Sequence, residues 1–422
     1  MTTTPHDASE APVIELTAAL LDSWATDFSG PVAVHLKQRL LSVEAVDGNP
    51  GIIYPPTYAN IGYNIDPYSD NKKVALIDSV GSQANRMVPI FKYKFTSSGE
   101  GGTEGEYLVP QIEIILRTEK APKQDKTEPY KEKRSILDLA HRGADAVIQS
   151  TPTLKPEFEK AFEALRRTGD AGPLCALAPT SLVFGVWDSR GGSGEKRPRL
   201  VRAIIRAWDV DVLHAAAQFT SVWKLLDKSQ KDELEKAGKV KKKKDDDDGE
   251  TKLSSIGLAD APAVFKPKTK LPKFLHGAPN PEARVLGGVF VRDRIERDVT
   301  VNLLALRNIR GANDEEAAKI RKYLLGLSLI AATTEIDLFL REGCHLRYAN
   351  DDVWRVVPRR GQPAKVNLGS DAANSVLLKY ALDASTAFFK DGKIPAPREH
   401  QFDLSEAKKL LAKKDEENPS ED

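Results

Sequence analysis

Apolar positions along this chain change their period several times, and each change marks an element. From Val285 to Leu303 they alternate: Val289, Val291, Ile295, Val299, Val301 and Leu303 share one parity, while Arg292, Arg294 and Asn302 hold the other. A period of two puts the two rows on opposite faces, so a long strand or tight hairpin with one apolar and one charged face is predicted. Leu200 to Val210 and Ser181 to Val186 also read as strands, and the short run Val74 to Ser79 reads as a strand leading to a polar turn at Gly81 to Arg86.

Elsewhere the spacing is helical. Between Ser135 and Gln149 one face holds Ile136, Leu137, Ala140, Ala144, Val147 and Ile148, which puts Arg142 on the opposite side and His141 at the edge. Pro156 to Arg167 predicts a helix with proline near its start and Gly169 just past its end. Asn313 caps another: Glu316 completes a capping box, and Ala317, Ile320, Leu324, Leu327 and Ala331 form the buried stripe. Glu15 to Ser42 mixes charge with apolar residues at helical or strand spacing, and Pro50 to Pro67 reads as irregular. Interleaved helices and strands with antiparallel hairpin signals give an α+β class.

Polar tracts punctuate this pattern. Ser97 to Gly105 and Lys120 to Lys133 read as loops. Lys241 to Lys244 followed by Asp245 to Asp248 cannot bury apolar surface, so a disordered insertion is expected over about 228–255. Lys266 to Lys273 is a second basic stretch, stiffened by Pro267 and Pro272. The end of the chain reads as a short amphipathic helix and then an acidic tail. The expected organisation is an N-terminal extension (1–30), a main domain with insertions (31–345), the C-terminal part of that domain (346–402) and the acidic tail (403–422).

The 422 residues suffice for a sizeable core, and 62 basic residues nearly balance 61 acidic ones. Balance does not exclude a polyanionic partner, because counterion release depends on the local patch. The two cysteines, Cys175 and Cys344, form no metal-ligand or disulfide framework. Met1 to Pro12 lacks the pattern of a signal peptide, and the apolar run Leu324 to Ala332 falls short of the roughly 20 residues that span a bilayer. A soluble, cytoplasmic protein without membrane contact is expected.

Candidate chemistry centres on Ser189-Arg190-Gly191-Gly192-Ser193-Gly194-Glu195-Lys196-Arg197-Pro198-Arg199. Glycines permit close backbone approach, and clustered cations at the start of a strand neutralise phosphates. From Trp187 to Arg206 six basic residues (Arg190, Lys196, Arg197, Arg199, Arg202, Arg206) face two acidic ones. A solvated hairpin loop would have the same composition. The spacing fits neither a P-loop nor a dinucleotide fingerprint, since Lys196 follows Glu195. None of the seven histidines pairs at metalloprotease or zinc-finger spacing, and no Gly-x-Ser-x-Gly occurs. No catalytic residue, metal or cofactor is therefore expected. Trp187 and Trp208 flank the basic loop and could stack bases, although tryptophans on strands are more often core.

Several motifs in consistent order carry a resemblance. Ile77-Asp78-Ser79-Val80-Gly81-Ser82-Gln83-Ala84-Asn85-Arg86-Met87, Leu139-Ala140-His141-Arg142-Gly143-Ala144-Asp145-Ala146, Phe184-Gly185-Val186-Trp187-Asp188-Ser189-Arg190-Gly191-Gly192, Lys196-Arg197-Pro198-Arg199, and Leu286-Gly287-Gly288-Val289 followed by Asn302-Leu303 together resemble the backbone subunit of type I-G (formerly I-U) CRISPR Cascade, a RAMP-superfamily protein. The resemblance runs from about residue 30 to about 345. It implies an RRM-like (ferredoxin-like) antiparallel palm with large insertions, and a non-catalytic subunit that polymerises along a CRISPR RNA and displays it for pairing with a target DNA strand. Copies of itself and other Cascade subunits are the implied protein partners. RNA contact carries over to Gln83, Asn85, Arg86, His141, Arg142, Arg190, Lys196, Arg197 and Arg199. The alternative is a metal-independent RNA endonuclease with His141 or His35 as general base.

Overall fold

A computed structural model describes residues 13–46, 50–58, 61–95, 105–118, 130–188, 195–214, 225–238, 286–349 and 352–417. Its principal sheet has ten strands. In chain order the main ones are β1 (Ala33–Ser42), β2 (Ile65–Ser69), β3 (Lys72–Asp78), β4 (Val201–His214), β5 (Leu286–Asn302), β6 (Phe339–Arg341), β7 (Cys344–Tyr348), β8 (Trp354–Val357) and β9 (Ala364–Val366). They lie in the order β6-β7-β1-β5-β4-β3-β2. β8 pairs with the N-terminal half of β1 and carries β9 beyond it. Ile52–Ile53 adds a short pairing to β5. All these pairs are antiparallel.

The alternation in β5 becomes the core. Val289, Val291, Ile295, Val299 and Val301 are buried, and the register sets Val34, Leu36 and Leu40 of β1 and Val201, Ala203 and Ala207 of β4 beside them. Helices cover this face: α1 (Ala18–Thr26), α2 (Val80–Met87), α3 (Lys155–Arg167), α4 (Asp314–Thr333) and α5 (Asp371–Phe388). α4 packs on β4 and β5 and against α5. Its N-terminus is capped by Asn313, whose side-chain oxygen accepts from the amide of Glu316, and the whole expected stripe from Ala317 to Ala331 is buried. At Gly326 the two helices touch so closely that a Cβ would stand 2.9 Å from Cα of Ala381. A smaller sheet of Arg398–Gln401, Ile112–Thr118 and Lys131–Ser135 lies apart from the main one.

The class is α+β as expected, and the strands at 201–214 and 286–302 form as the alternation requires, the second as one continuous strand. Other elements differ. Val80–Met87 is a helix, because Ser79 accepts from the amide of Ser82 and supplies an N-cap. Residues 180–183 form a helical turn rather than a strand. The stretch Ser135 to Gln149 is not one helix but three short turns, broken at Arg142, which has φ +52°. Arg142 is accordingly buried and not on a solvent face. Lys228–Gly238 is helical, which moves the start of the expected unstructured insertion, while 239–285 and the tail beyond 417 lie outside the described residues.

Candidate nucleic-acid interface

Three chain segments meet beside the start of β4. The amide of Arg197 donates to Val186 O at 2.9 Å and that of Leu200 to Val183 O at 2.8 Å, so the Arg197-Pro198-Arg199 segment lies along the turn at 183–186. Gly185 sits in that turn at φ +78°, and a Cβ there would come within 2.8 Å of Arg199 Cγ. Trp187–Asp188 pairs antiparallel with Glu195–Lys196, so the flanks of the glycine-rich stretch form a hairpin.

Arg142 supplies the second wall. Its neighbour Gly143 is held by an amide bond to Ser181 Oγ at 3.1 Å, and a Cβ at Gly143 would stand 2.9 Å from the Phe158 ring. The Arg142 guanidinium, 6 % exposed as a residue, donates to Gly185 O and to Asn85 Oδ1, both at 3.2 Å, and lies 5.5 Å from the centre of the Phe184 ring. Its Nε has no partner, and both of these acceptors are neutral. Burial, and then the charge of Arg199, push its pKa down to about 10, so it still carries its charge at neutral pH. The third wall is α2, through Gly81 and, one turn on, Asn85.

Together Gly81, Asn85, Ala140, His141, Arg142, Gly185, Val186, Arg197 and Arg199 line a cleft of about 430 Å³. Three arginines and a histidine line it, with no carboxylate, which makes it an anion site by composition. A second cleft of about 540 Å³, mostly apolar, lies across the Arg197-Pro198 wall against Leu165, Leu200, Leu304 and Ile309. Arg197 also donates to Leu165 O at 3.2 Å, which ties it to α3.

Five of the nine expected contact residues thus converge: Asn85, His141, Arg142, Arg197 and Arg199. Gln83 does not join them. It is fully buried, donates to Asp78 at 2.7 Å and accepts from Arg297 Nε at 2.9 Å, so its amide is used inside the protein. Arg86 is turned to the same interior group, with Nε 3.2 Å from Asp78 and a further bond to Leu340 O. Arg190 lies outside the described residues, and Lys196 is placed only by its backbone pairing to Trp187.

Sequence reasoning missed Gly81 and Gly185, whose lack of a side chain opens the cleft, although both stood within quoted motifs. It also missed Arg297, 1 % exposed, which bonds Gln38 and Gln83 from the apolar parity of β5. A cation on that parity was the available signal. Trp208 is on the opposite sheet face, edge-on to Tyr68. Among the described residues no group of His, Cys, Asp and Glu is arranged to hold a metal ion, and no helix is long and apolar enough to cross a membrane.

Residues 38–212 match the model of a family described as CRISPR-associated protein GSU0053. Over that segment the chain is similar to a CRISPR-associated protein. All nine cleft-lining residues fall within it. A solved chain titled "CRISPR RNA-guided surveillance complex, pre-nicking" aligns at 12 % identity and a TM-score of 0.28, covering 90 % of this chain and 99 % of that one. No curated protein matches. The CRISPR-associated family expected from the motifs agrees with the match over 38–212.

Proposed function

We propose that this CRISPR-associated protein is the RNA-binding backbone subunit of a type I-G Cascade complex, without catalytic activity of its own. The observation that carries the reading is Arg142: a buried guanidinium with an unpartnered Nε and no carboxylate, facing a cleft that Arg199 makes still more positive. A cation removed from water without a counter-ion is costly, and an incoming phosphate removes the cost. Arg199, which is exposed, and His141 on the rim would then hold the flanking backbone, with Asn85 bridging Arg142 to α2. Phosphate grip without base contacts leaves sequence reading to guide–target pairing.

The topology supports an RRM-like palm. Strands β8-β1-β5-β4 lie side by side, with the helical region containing α2 and α3 between β1 and β4 in the chain and α4 between β5 and β8. That is the order of a split β-α-β unit. Copies of the chain along the guide, other Cascade subunits and a target DNA strand paired to the guide are the partners of this reading, and a soluble cytoplasmic complex is its setting.

Two measurements on one preparation test it. Nucleic acid that copurifies with the full chain from a host carrying the CRISPR array is sequenced, and labelled RNA is incubated with the protein with and without divalent metal. A uniform RNA containing repeat sequence, together with protection of the label, is the expected result. RNA cutting that His141→Ala abolishes would overturn it in favour of an endonuclease.

A further inference from the structure

The sheet face opposite the core carries a pattern that the cleft does not use. Register places its side chains in rows across β8, β1, β5 and β4. Arg355, His35, Thr300 and Arg202 form one row, Lys37, Asp298 and Ile204 the next, then Arg39, Glu296 and Arg206, then Arg294 and Trp208. At the usual strand spacing the first row spans about 14 Å. These rows hold six cations (Lys37, Arg39, Arg202, Arg206, Arg294, Arg355) and two carboxylates.

Both carboxylates are already engaged. Glu296 lies 3.5 Å from Lys37 and 3.2 Å from Arg294, and Asp298 lies 3.6 Å from His35 and 3.9 Å from Arg206. Among the described residues Arg39, Arg202 and Arg355 pair with no carboxylate; Arg39 bonds the carbonyl of Asp293 and Arg355 that of Val353. The face therefore has a net positive charge, concentrated in the outer positions of its rows.

Its far end is aromatic. Trp208 lies 4.8 Å under the Arg294 guanidinium and meets Tyr68 edge-on at 5.1 Å, and Tyr68 is 41 % exposed. Trp208 Nε1 is buried beneath this cluster. The next residue, Asp209, has φ +55° at a bulge, beyond which the β4–β5 pairing resumes in a shifted register at Val210 and Val291.

We infer that this open face is a second binding surface, for a single strand of nucleic acid other than the one in the cleft. Cations spread across four strands match a phosphate backbone, and the cluster of Tyr68, Trp208 and Arg294 gives a base the exposed Tyr68 ring to stack on. An acidic protein segment would match the cations but leave the aromatic end without a role. The two sites share no residue, so the inference does not depend on the guide reading.

The test uses fluorescence anisotropy with labelled oligothymidylate and labelled oligouridylate on the full chain over a range of salt, with circular dichroism to confirm folding. Arg202→Glu with Arg355→Glu is expected to lower the affinity for the second oligonucleotide at least tenfold and to flatten the log–log salt slope of that binding step by about 0.7 for each lost contact. Because the two sites hold different strands, the parent chain should bind two oligonucleotides and the face variant one, and adding Arg199→Glu should weaken the one that remains, whereas a cleft-only protein would bind one oligonucleotide with or without the face substitutions. Trp208→Phe should remove part of the tryptophan quenching seen on binding. If the double reversal does not fold, Arg202→Ala with Arg355→Ala takes its place, with at least a threefold loss expected. Unchanged affinity and slope in a folded face variant overturn the inference, as does equal displacement of oligothymidylate by polyglutamate of matched charge, which would assign the face to an acidic protein.

Discussion

Arg142 is held in the left-handed backbone region, buried, and bonded only to neutral acceptors. Replacing an uncompensated buried ion by an apolar side chain is often neutral or stabilising. Arg142→Met should therefore leave the denaturation midpoint unchanged or raised, while RNA affinity falls by about 1.5–3 kcal/mol, the worth of a hydrogen bond to a charged group. A parallel loss of stability and binding would show that the residue is structural. Asp78 is the opposite case. It is 1 % exposed, lies 3.2 Å from Arg86 and 3.5 Å from Arg341, and accepts from Gln83. Asp78→Ala strips these cations of their counter-charge and should cost about 3–5 kcal/mol in urea unfolding. His35 gives a pH signature. Its folded pKa is lowered from 6.5, chiefly by burial, so the unfolded chain takes up the proton first as pH falls. Its contribution to stability is complete above about pH 6.5 and is lost below it. Comparing urea midpoints at pH 7.5 and 5.5, His35→Gln should show a smaller drop than the parent chain.

Among the elements, the ones legible in sequence were those whose pattern is local. The alternation of β5 and the capping box and stripe of α4 need no knowledge of distant residues, and both stand. The stretch 135–149 failed for a long-range reason. Its apolar spacing is helical, but Gly143 is clamped against Phe158 and Ser181, which forces Arg142 into the left-handed region and turns its side chain inward. The same clamp converts a solvent-facing arginine into the centre of the cleft. Gln83 and Arg86 stand apart from the cleft because Asp78, and for Gln83 also Arg297 on a second strand, bond them from the interior. Two glycines test this level. Gly185→Ala places a Cβ 2.8 Å from Arg199 at φ +78°, so it should weaken RNA binding along with stability. Gly326→Ala at the α4–α5 contact should cost about 1–3 kcal/mol of stability by overpacking. In protein that remains folded it should leave RNA affinity unchanged, as an affinity titration would show.

At the scale of the whole molecule, the antiparallel sheet divides the protein into a helix-covered core face and an open charged face, with the anion cleft beside the start of β4. A subunit that grips backbone at one such cleft and contacts copies of itself head to tail would assemble with the length of its RNA. Light scattering on RNAs of increasing length should show a copy number that rises in steps, and a fixed dimer at every length would contradict that. The most direct measurement concerns the cleft. Arg199 is exposed and lines the cleft beside Arg142, whereas Arg197 also ties the wall to α3, so Arg199→Glu perturbs the binding surface with least effect on the fold. Affinities of the parent chain and Arg199→Glu are measured across salt on two RNAs of unrelated sequence, with circular dichroism to confirm folding. The account predicts an equal, severalfold or greater loss on both RNAs and a salt slope smaller by about 0.7 for the one lost phosphate contact. Unchanged affinity and slope in the folded variant would contradict it.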